Sequence, residues 1–240
     1  MLSTSSCGSV TSCVRLELDL EKPFRSPLIV RFGYRAGQEL GRRVIFPPIF
    51  RVRVEGLNRV PEDGSAIVAS NHFSNFDPIL LGAFLPRRIT YLAKRELVDT
   101  PVIGALYRLW GVVPVNRDGM DLGAIRQLLR VLRSGYLVGM YPEGTRSRDR
   151  VLHSPRSGAA YVALKAGVPI LPVSIWGPES FSWRGWVRDG RTTVTIRFGD
   201  PIELGRHTRR IRSQDLDAAG EVIMRAIASG LPDRYRGVYA

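Results

Sequence analysis

The chain has 240 residues, 44% hydrophobic and 24% charged, a length and balance that support one domain with a core of its own. Lys and Arg outnumber Asp and Glu by 35 to 22, a net charge of +13, and the only lysines are Lys22, Lys94 and Lys165. Two cysteines, Cys7 and Cys13, in a Ser- and Thr-rich start exclude a disulfide scaffold, and no run reaches about 18 uninterrupted apolar residues, which excludes an obvious transmembrane helix.

An arginine-rich surface attracts phosphates: those of nucleic acid, of anionic lipid head groups, or of phosphorylated substrates and acidic carriers. Genome composition alone produces the same excess. The first residues lack both a basic n-region and an apolar run, so residues 1–19 are expected to form a tail rather than a secretory signal, with a reducing, cytoplasmic setting as the default. Residues 20–48 mix Phe32, Tyr34, Val44, Ile45 and Phe46 with Arg31, Arg35, Arg42 and Arg43. That pattern predicts an amphipathic helical segment, either lying at a membrane interface or packed on the domain.

From about residue 49 to residue 230, short apolar runs alternate with helical stretches, the pattern of an α/β domain. Strands are expected near 50–55, 65–69, 89–93, 111–115, 136–141, 169–176 and 192–198, forming a mixed, largely parallel seven-stranded sheet flanked by helices. Helices are expected over Pro78 to Leu85, Pro101 to Trp110, Asp121 to Ser134, Ser157 to Ala166 and Ser213 to Ala228, the last with Ser213 as N-cap. Gly185 to Gly190, near Trp183 and Trp186, reads as an exposed connection, and residues 231–240 as a tail.

Three polar motifs follow apolar strands. Asn71-His72-Phe73-Ser74-Asn75-Phe76-Asp77-Pro78 places an imidazole and a carboxylate on one turn after Ala66-Ile67-Val68-Ala69. On a continuous helix, five residues at about 100° each would set His72 and Asp77 roughly 140° apart, so the two can meet only across a turn. Two roles fit Asp77: N-cap of a helix with Pro78 at its first position, or holder of an imidazole that acts as general base. They are compatible.

Downstream, Gly111-Val112-Val113-Pro114-Val115-Asn116-Arg117 is an apolar strand ending in an arginine placed to meet an anion. Tyr136 to Tyr141 runs into Pro142-Glu143-Gly144-Thr145-Arg146-Ser147-Arg148, a glycine-containing loop at the carboxyl edge of the sheet, where Arg146 and Arg148 could clamp a phosphate. Gly167-Val168-Pro169-Ile170-Leu171-Pro172-Val173-Ser174 is a proline-punctuated strand, expected at an edge or irregular rather than central.

These four segments, in this order, resemble the glycerolipid acyltransferase family, in particular the lysophosphatidate acyltransferases. The family's His-x4-Asp motif matches His72 and Asp77, its arginine-bearing second block Gly111 to Arg117, its Glu-Gly-Thr-Arg block Glu143 to Arg146, and its fourth block Val168 to Val173. The resemblance implies acyl transfer from a thioester, acyl-CoA or acyl-carrier protein, to the hydroxyl of a lysophospholipid. His72 would be the base and Asp77 its orienting partner; Arg117, Gly144, Thr145 and Arg146 would hold the acceptor phosphate, and Glu143 would order the loop. It also implies direct transfer without an acyl-enzyme and without metal or cofactor, at the cytoplasmic face of an anionic membrane.

The chain departs from the family at two places. Pro155-Arg156-Ser157-Gly158 stands where an aromatic-Lys-x-Gly step is usual, and the N-terminal segment is broken by arginines, which favours peripheral or monotopic attachment. Rival expectations are another acceptor, glycerol 3-phosphate or a lyso-lipid without phosphate, and a non-catalytic basic membrane-binding protein. No recognised nucleic-acid motif is present.

Overall fold

The computed structural model describes residues 28–94, 113–115, 122–207 and 209–240. Arg117 and the helix expected over Pro101 to Trp110 lie outside the described residues, as do residues 1–27. Seven strands form one sheet: β1 Phe50–Glu55, β2 Ala66–Ser70, β3 Ile89–Lys94, β4 Val113–Val115, β5 Leu137–Met140, β6 Ile170–Trp176 and β7 Thr192–Phe198. Their order is β1-β7-β6-β2-β5-β3-β4, and every neighbouring pair is parallel except β6 with β7. The expected mixed, largely parallel sheet is therefore what the chain forms.

Central strands of a sheet covered on both faces must be apolar throughout, and β2 (Ala-Ile-Val-Ala-Ser) is buried at every position. Alternation divides its side chains between two cores. Val68 joins Phe50, Leu80, Leu81, Val173 and Ile196 on one face, while Ile67 and Ala69 join Leu128, Leu132, Val162, Ile223 and Ile227 on the other. Helix α1 (Leu28–Leu40) and helix α2 (Asp77–Phe84) cover the first face; α3 (Leu122–Arg133), α4 (Ser157–Ala166) and α6 (Ser213–Gly230) cover the second. The proline-punctuated segment forms β6, which pairs on both sides and is central rather than an edge. Pro172 pairs with Ala69 of β2 but lies just outside the β7 ladder, which starts at Val173, and its carbonyl accepts from Gly199 N–H.

Strand directions decide where a site can form. With β2 and β5 ending at one edge, the parallel β6 ends there too, the antiparallel β7 begins there, and so does β1, which is parallel to β7. The same edge therefore carries the chain after β2, β5 and β6 and the chain before β1 and β7.

Three expectations need correction. The stretch around Gly185 to Gly190 is helix α5 (Trp183–Asp189), started by Ser182, whose hydroxyl accepts from Gly185 N–H, and pinned by Trp186 Nε1 donating to the Pro48 carbonyl. Its shortness and internal Gly185 hid it from periodicity. Residues 231–240 are not a free tail: Leu231 and Tyr235 are buried, and Leu152 N–H donates to the Tyr235 carbonyl. Helix α6 is preceded by Arg212 rather than Ser213 as its N-cap residue, with the Asp215 carboxylate accepting from Arg212 N–H.

The described part of residues 20–48 packs on the domain. Tyr34 donates from its hydroxyl to the Gly82 carbonyl, and Gln38 donates to the carbonyls of Gly82 and Leu85 on α2. Phe32, Leu40, Val44 and Ile45 remain exposed.

Gly139 in β5 has a specific reason to lack a side chain, since an added Cβ would overlap the ring of Tyr91 from β3. Gly139→Ala should destabilise the fold by about 1–3 kcal/mol through overpacking. Urea denaturation monitored by circular dichroism checks this; an unchanged midpoint would mean that Tyr91 moves aside freely.

Candidate active site

The turn after β2 brings His72 and Asp77 together. His72 Nδ1 lies 2.9 Å from Asp77 Oδ2, and the same oxygen accepts from the backbone N–H groups of Phe73 (2.8 Å) and Ser74 (2.7 Å). Asp77 is fully buried at 0% exposure, whereas the His72 side chain keeps 19%. Burial pushes the Asp77 carboxyl above its ordinary value of 3.8, opposed by the His72 ring and the N–H groups of Ser74 and Phe73. A carboxylate on Nδ1 fixes the tautomer with its proton there and leaves Nε2 as the acceptor.

Asp77 is not the cap that the sequence suggested. Phe76 precedes the helix as its N-cap residue, Asp77 is the first helical residue with Pro78 second, and the carboxylate turns back toward the preceding loop. The physical reason is the cluster of N–H groups at Phe73 and Ser74, which an isolated helix start would not present.

Asn71 holds the turn to the sheet. Its side-chain amide donates to the Ile175 carbonyl at 2.7 Å and accepts from Ile175 N–H at 2.9 Å, extending the β2–β6 ladder by one peptide-like pair. The loop after β5 grips the other side of the turn. Ser147 N–H donates to the His72 carbonyl at 2.9 Å, and Glu143, 4% exposed, accepts from His153 N–H at 3.2 Å. Burial raises the Glu143 carboxyl from 4.5 to about 7, against the pull of the backbone N–H groups of His153 and His72. Its Oε1 has no hydrogen-bond partner among the described residues. Glu143 thus joins the loop at His153 to the His72 backbone.

Under the imidazole is a stack of rings that sequence reasoning missed. His72 lies face to face with Tyr141, centroids 4.2 Å apart at 22°, and Tyr141 stacks on Tyr91 at 6.0 Å and 9°. Burial holds both phenols well above their ordinary value, so the platform is neutral. The available signal was Tyr141 itself, the last residue before Pro142, read only as the end of a strand.

Gly144, Thr145 and Arg146 are exposed on the loop, and Arg146 has no ion-pair partner among the described residues. Gly144 adopts φ 70°, and the Arg156 side chain packs where its Cβ would be, which brings a further guanidinium onto the loop. Arg117 lies outside the described residues, two positions beyond the end of β4. Among the described residues no cluster of three or more His, Cys, Asp and Glu side chains is placed to hold a metal ion.

A histidine held by a buried carboxylate thus lies at the carboxyl edge of an α/β sheet, next to an arginine-bearing loop whose Ser147 N–H binds the His72 carbonyl. Comparison with known proteins identifies the family. The Acyltransferase family model matches residues 51–176, and the chain belongs to this acyltransferase family. It is 31% identical over 218 residues to the 1-acyl-sn-glycerol-3-phosphate acyltransferase of Escherichia coli, covering 84% of this chain and 85% of that one. It is 29% identical over 156 residues to the enzyme of the same name from Borreliella burgdorferi, where the match spans 64% of this chain and only 62% of the relative. The crystal structure of the 1-acyl-sn-glycerophosphate acyltransferase PlsC from Thermotoga maritima shares the fold, with a TM-score of 0.65 at 24% identity over 92% of this chain and 88% of that one.

Because the Glu143 carboxyl is raised in the folded state, its charged form is disfavoured there, and it subtracts stability as pH rises from about 4.5 to about 7. The unfolding free energy of the parent minus that of Glu143→Gln should therefore fall across that window and level off above it. Denaturation series at pH 4.5 to 8.5 measure it; a flat difference would mean that Glu143 titrates normally.

Proposed function

We propose that this protein transfers a fatty acyl group from a thioester donor, acyl-CoA or acyl-carrier protein, to the free hydroxyl of lysophosphatidate, giving phosphatidate. The observation that carries the reading is the buried Asp77 oxygen with three donors, one of them His72 Nδ1 at 2.9 Å. The relatives named for this reaction support the choice of acceptor.

His72 Nε2 takes the proton as the acceptor oxygen attacks the thioester carbonyl, and Asp77 stabilises the imidazolium that forms. When the tetrahedral intermediate collapses, the C–S bond breaks and the imidazolium proton goes to the leaving thiolate. The acyl group passes directly to the acceptor, and no acyl-enzyme is formed. Arg146, with Gly144 and Thr145, holds the acceptor phosphate, joined by Arg117. Acidic donors and lipids suit the +13 charge, and the protein works bound to an anionic membrane surface. Among the described residues no helix is long and apolar enough to cross that membrane.

His72→Ala should lower turnover by about 10²–10⁴-fold with the fold intact, in a thiol-release assay using lysophosphatidate and either donor. Near-parental turnover in a folded variant would remove His72 from the chemistry. Arg146→Ala should raise the acceptor KM roughly tenfold and leave the donor KM nearly unchanged. Equal effects on both substrates, or better use of an acceptor without phosphate, would overturn the phosphate assignment.

A further inference from the structure

Helix α5 exposes two large apolar side chains one turn apart, Trp183 at 66% and Val187 at 78%. Side chains four positions apart share a helix face. Around them stand exposed Arg184, Arg188 and Arg191 against a single acid, Asp189, which pairs with Arg188. Exposed tryptophan and valine ringed by arginines match the chemistry of an anionic bilayer interface, where indole sits at head-group depth and guanidinium meets phosphate.

Placement supports the same occupant. Helix α5 joins β6 to β7 at the edge of the sheet that carries His72, and it is tied to the chain entering β1 by Trp186 Nε1 to the Pro48 carbonyl and Arg191 to the Pro47 carbonyl. Val44 and Ile45, exposed as well, lie just before that segment. From Trp183 a line of edge-on rings runs inward: Trp183 to Phe181 at 5.3 Å, Phe181 to Phe76 at 5.6 Å, with Phe50 5.3 Å from Phe76. Phe76 immediately precedes Asp77. Ser74 of the His72 turn also donates to the Pro178 carbonyl in the connection to α5.

We propose that α5 is a bilayer-docking element, with Trp183 and Val187 entering the interface of an anionic membrane and seating the His72 edge against the lipid surface. This rests on the reading of the acceptor as a membrane-borne lysophospholipid. The contact shortens the path of an apolar chain leaving the bilayer, and the ring line Trp183-Phe181-Phe76 gives it an apolar wall toward the His72 turn.

The test uses the full chain with vesicles of phosphatidylglycerol and phosphatidylcholine, read by flotation, and compares the parent with Trp183→Ser and, separately, Val187→Glu. Both positions are largely exposed, so the fold should survive, and thermal melts confirm it. Each variant should bind vesicles about tenfold more weakly, and brominated acyl chains should quench parent fluorescence more than that of Trp183→Ser. Transfer to long-chain lysophosphatidate in vesicles should fall in parallel, while transfer to a water-soluble short-chain acceptor stays within about twofold. Unchanged flotation of both variants would overturn the docking element. A selective loss with carrier-protein donor and unchanged flotation would overturn it too, by making α5 a protein dock. If vesicle binding falls as expected but the parent transfers to no lysophospholipid, the docking stands and the acceptor reading fails.

Discussion

One oxygen, Asp77 Oδ2, is the point on which the geometry of the site turns. It accepts from His72 Nδ1, Phe73 N–H and Ser74 N–H within a fully buried pocket, and a buried carboxylate is tolerable only when such donors surround it. The requirement works in both directions. The carboxylate bends the residues after β2 into a tight loop, and the loop supplies N–H groups that offset part of the cost of burying it. Because the same oxygen serves the backbone and the ring, the position of the histidine is coupled to the backbone conformation of the turn.

Around this oxygen the fold adds three independent restraints. Asn71 locks the turn to β6 through two hydrogen bonds, Ser147 N–H holds the His72 carbonyl from the loop after β5, and Tyr141 closes the face of the imidazole. The first ties the turn to the end of β6, and the other two come from the chain leaving β5 at the same sheet edge. Parallel pairing of β2 with β5 and β6 makes this convergence unavoidable, since parallel strands deliver their ends together. A side chain held in this way loses little energy to reorientation when it meets a ligand.

The electrostatic design separates its parts. Near His72 the surroundings are buried and largely neutral, with Tyr91 and Tyr141 kept protonated by burial and Glu143 raised to about 7. The cations of the loop, Arg146 and Arg148, are exposed instead. Guanidinium groups in water remain free to meet an anion, while His72 keeps its hydrogen bond to Asp77 beside buried, neutral rings.

Local pattern was sufficient for much of the molecule. Buried strands such as β2 and β6 announce themselves as apolar runs, and α4, read from residues 157–166, begins and ends where Ser157, Ala166 and the left-handed Gly167 place it. The pairing of His72 with Asp77 was legible because the residue types and the turn between them leave few other arrangements. Short-range signals failed where a distant partner decided the outcome. Helix α5 depends on the Pro48 carbonyl, the last residues on packing against Leu152, and the direction of the Asp77 carboxylate on N–H groups that only the folded turn presents.

The sequence by itself determined the α/β class, the seven strands and the pairing of His72 with Asp77, because periodicity and turn chemistry act over a few residues. Tertiary structure alone decided that Tyr141 and Tyr91 lie beneath the imidazole, that Glu143 and Ser147 grip the His72 turn, and that Trp183 stands exposed on the same edge. Those are contacts between strand ends separated by tens of residues, fixed by the order β1-β7-β6-β2-β5-β3-β4 rather than by any local run.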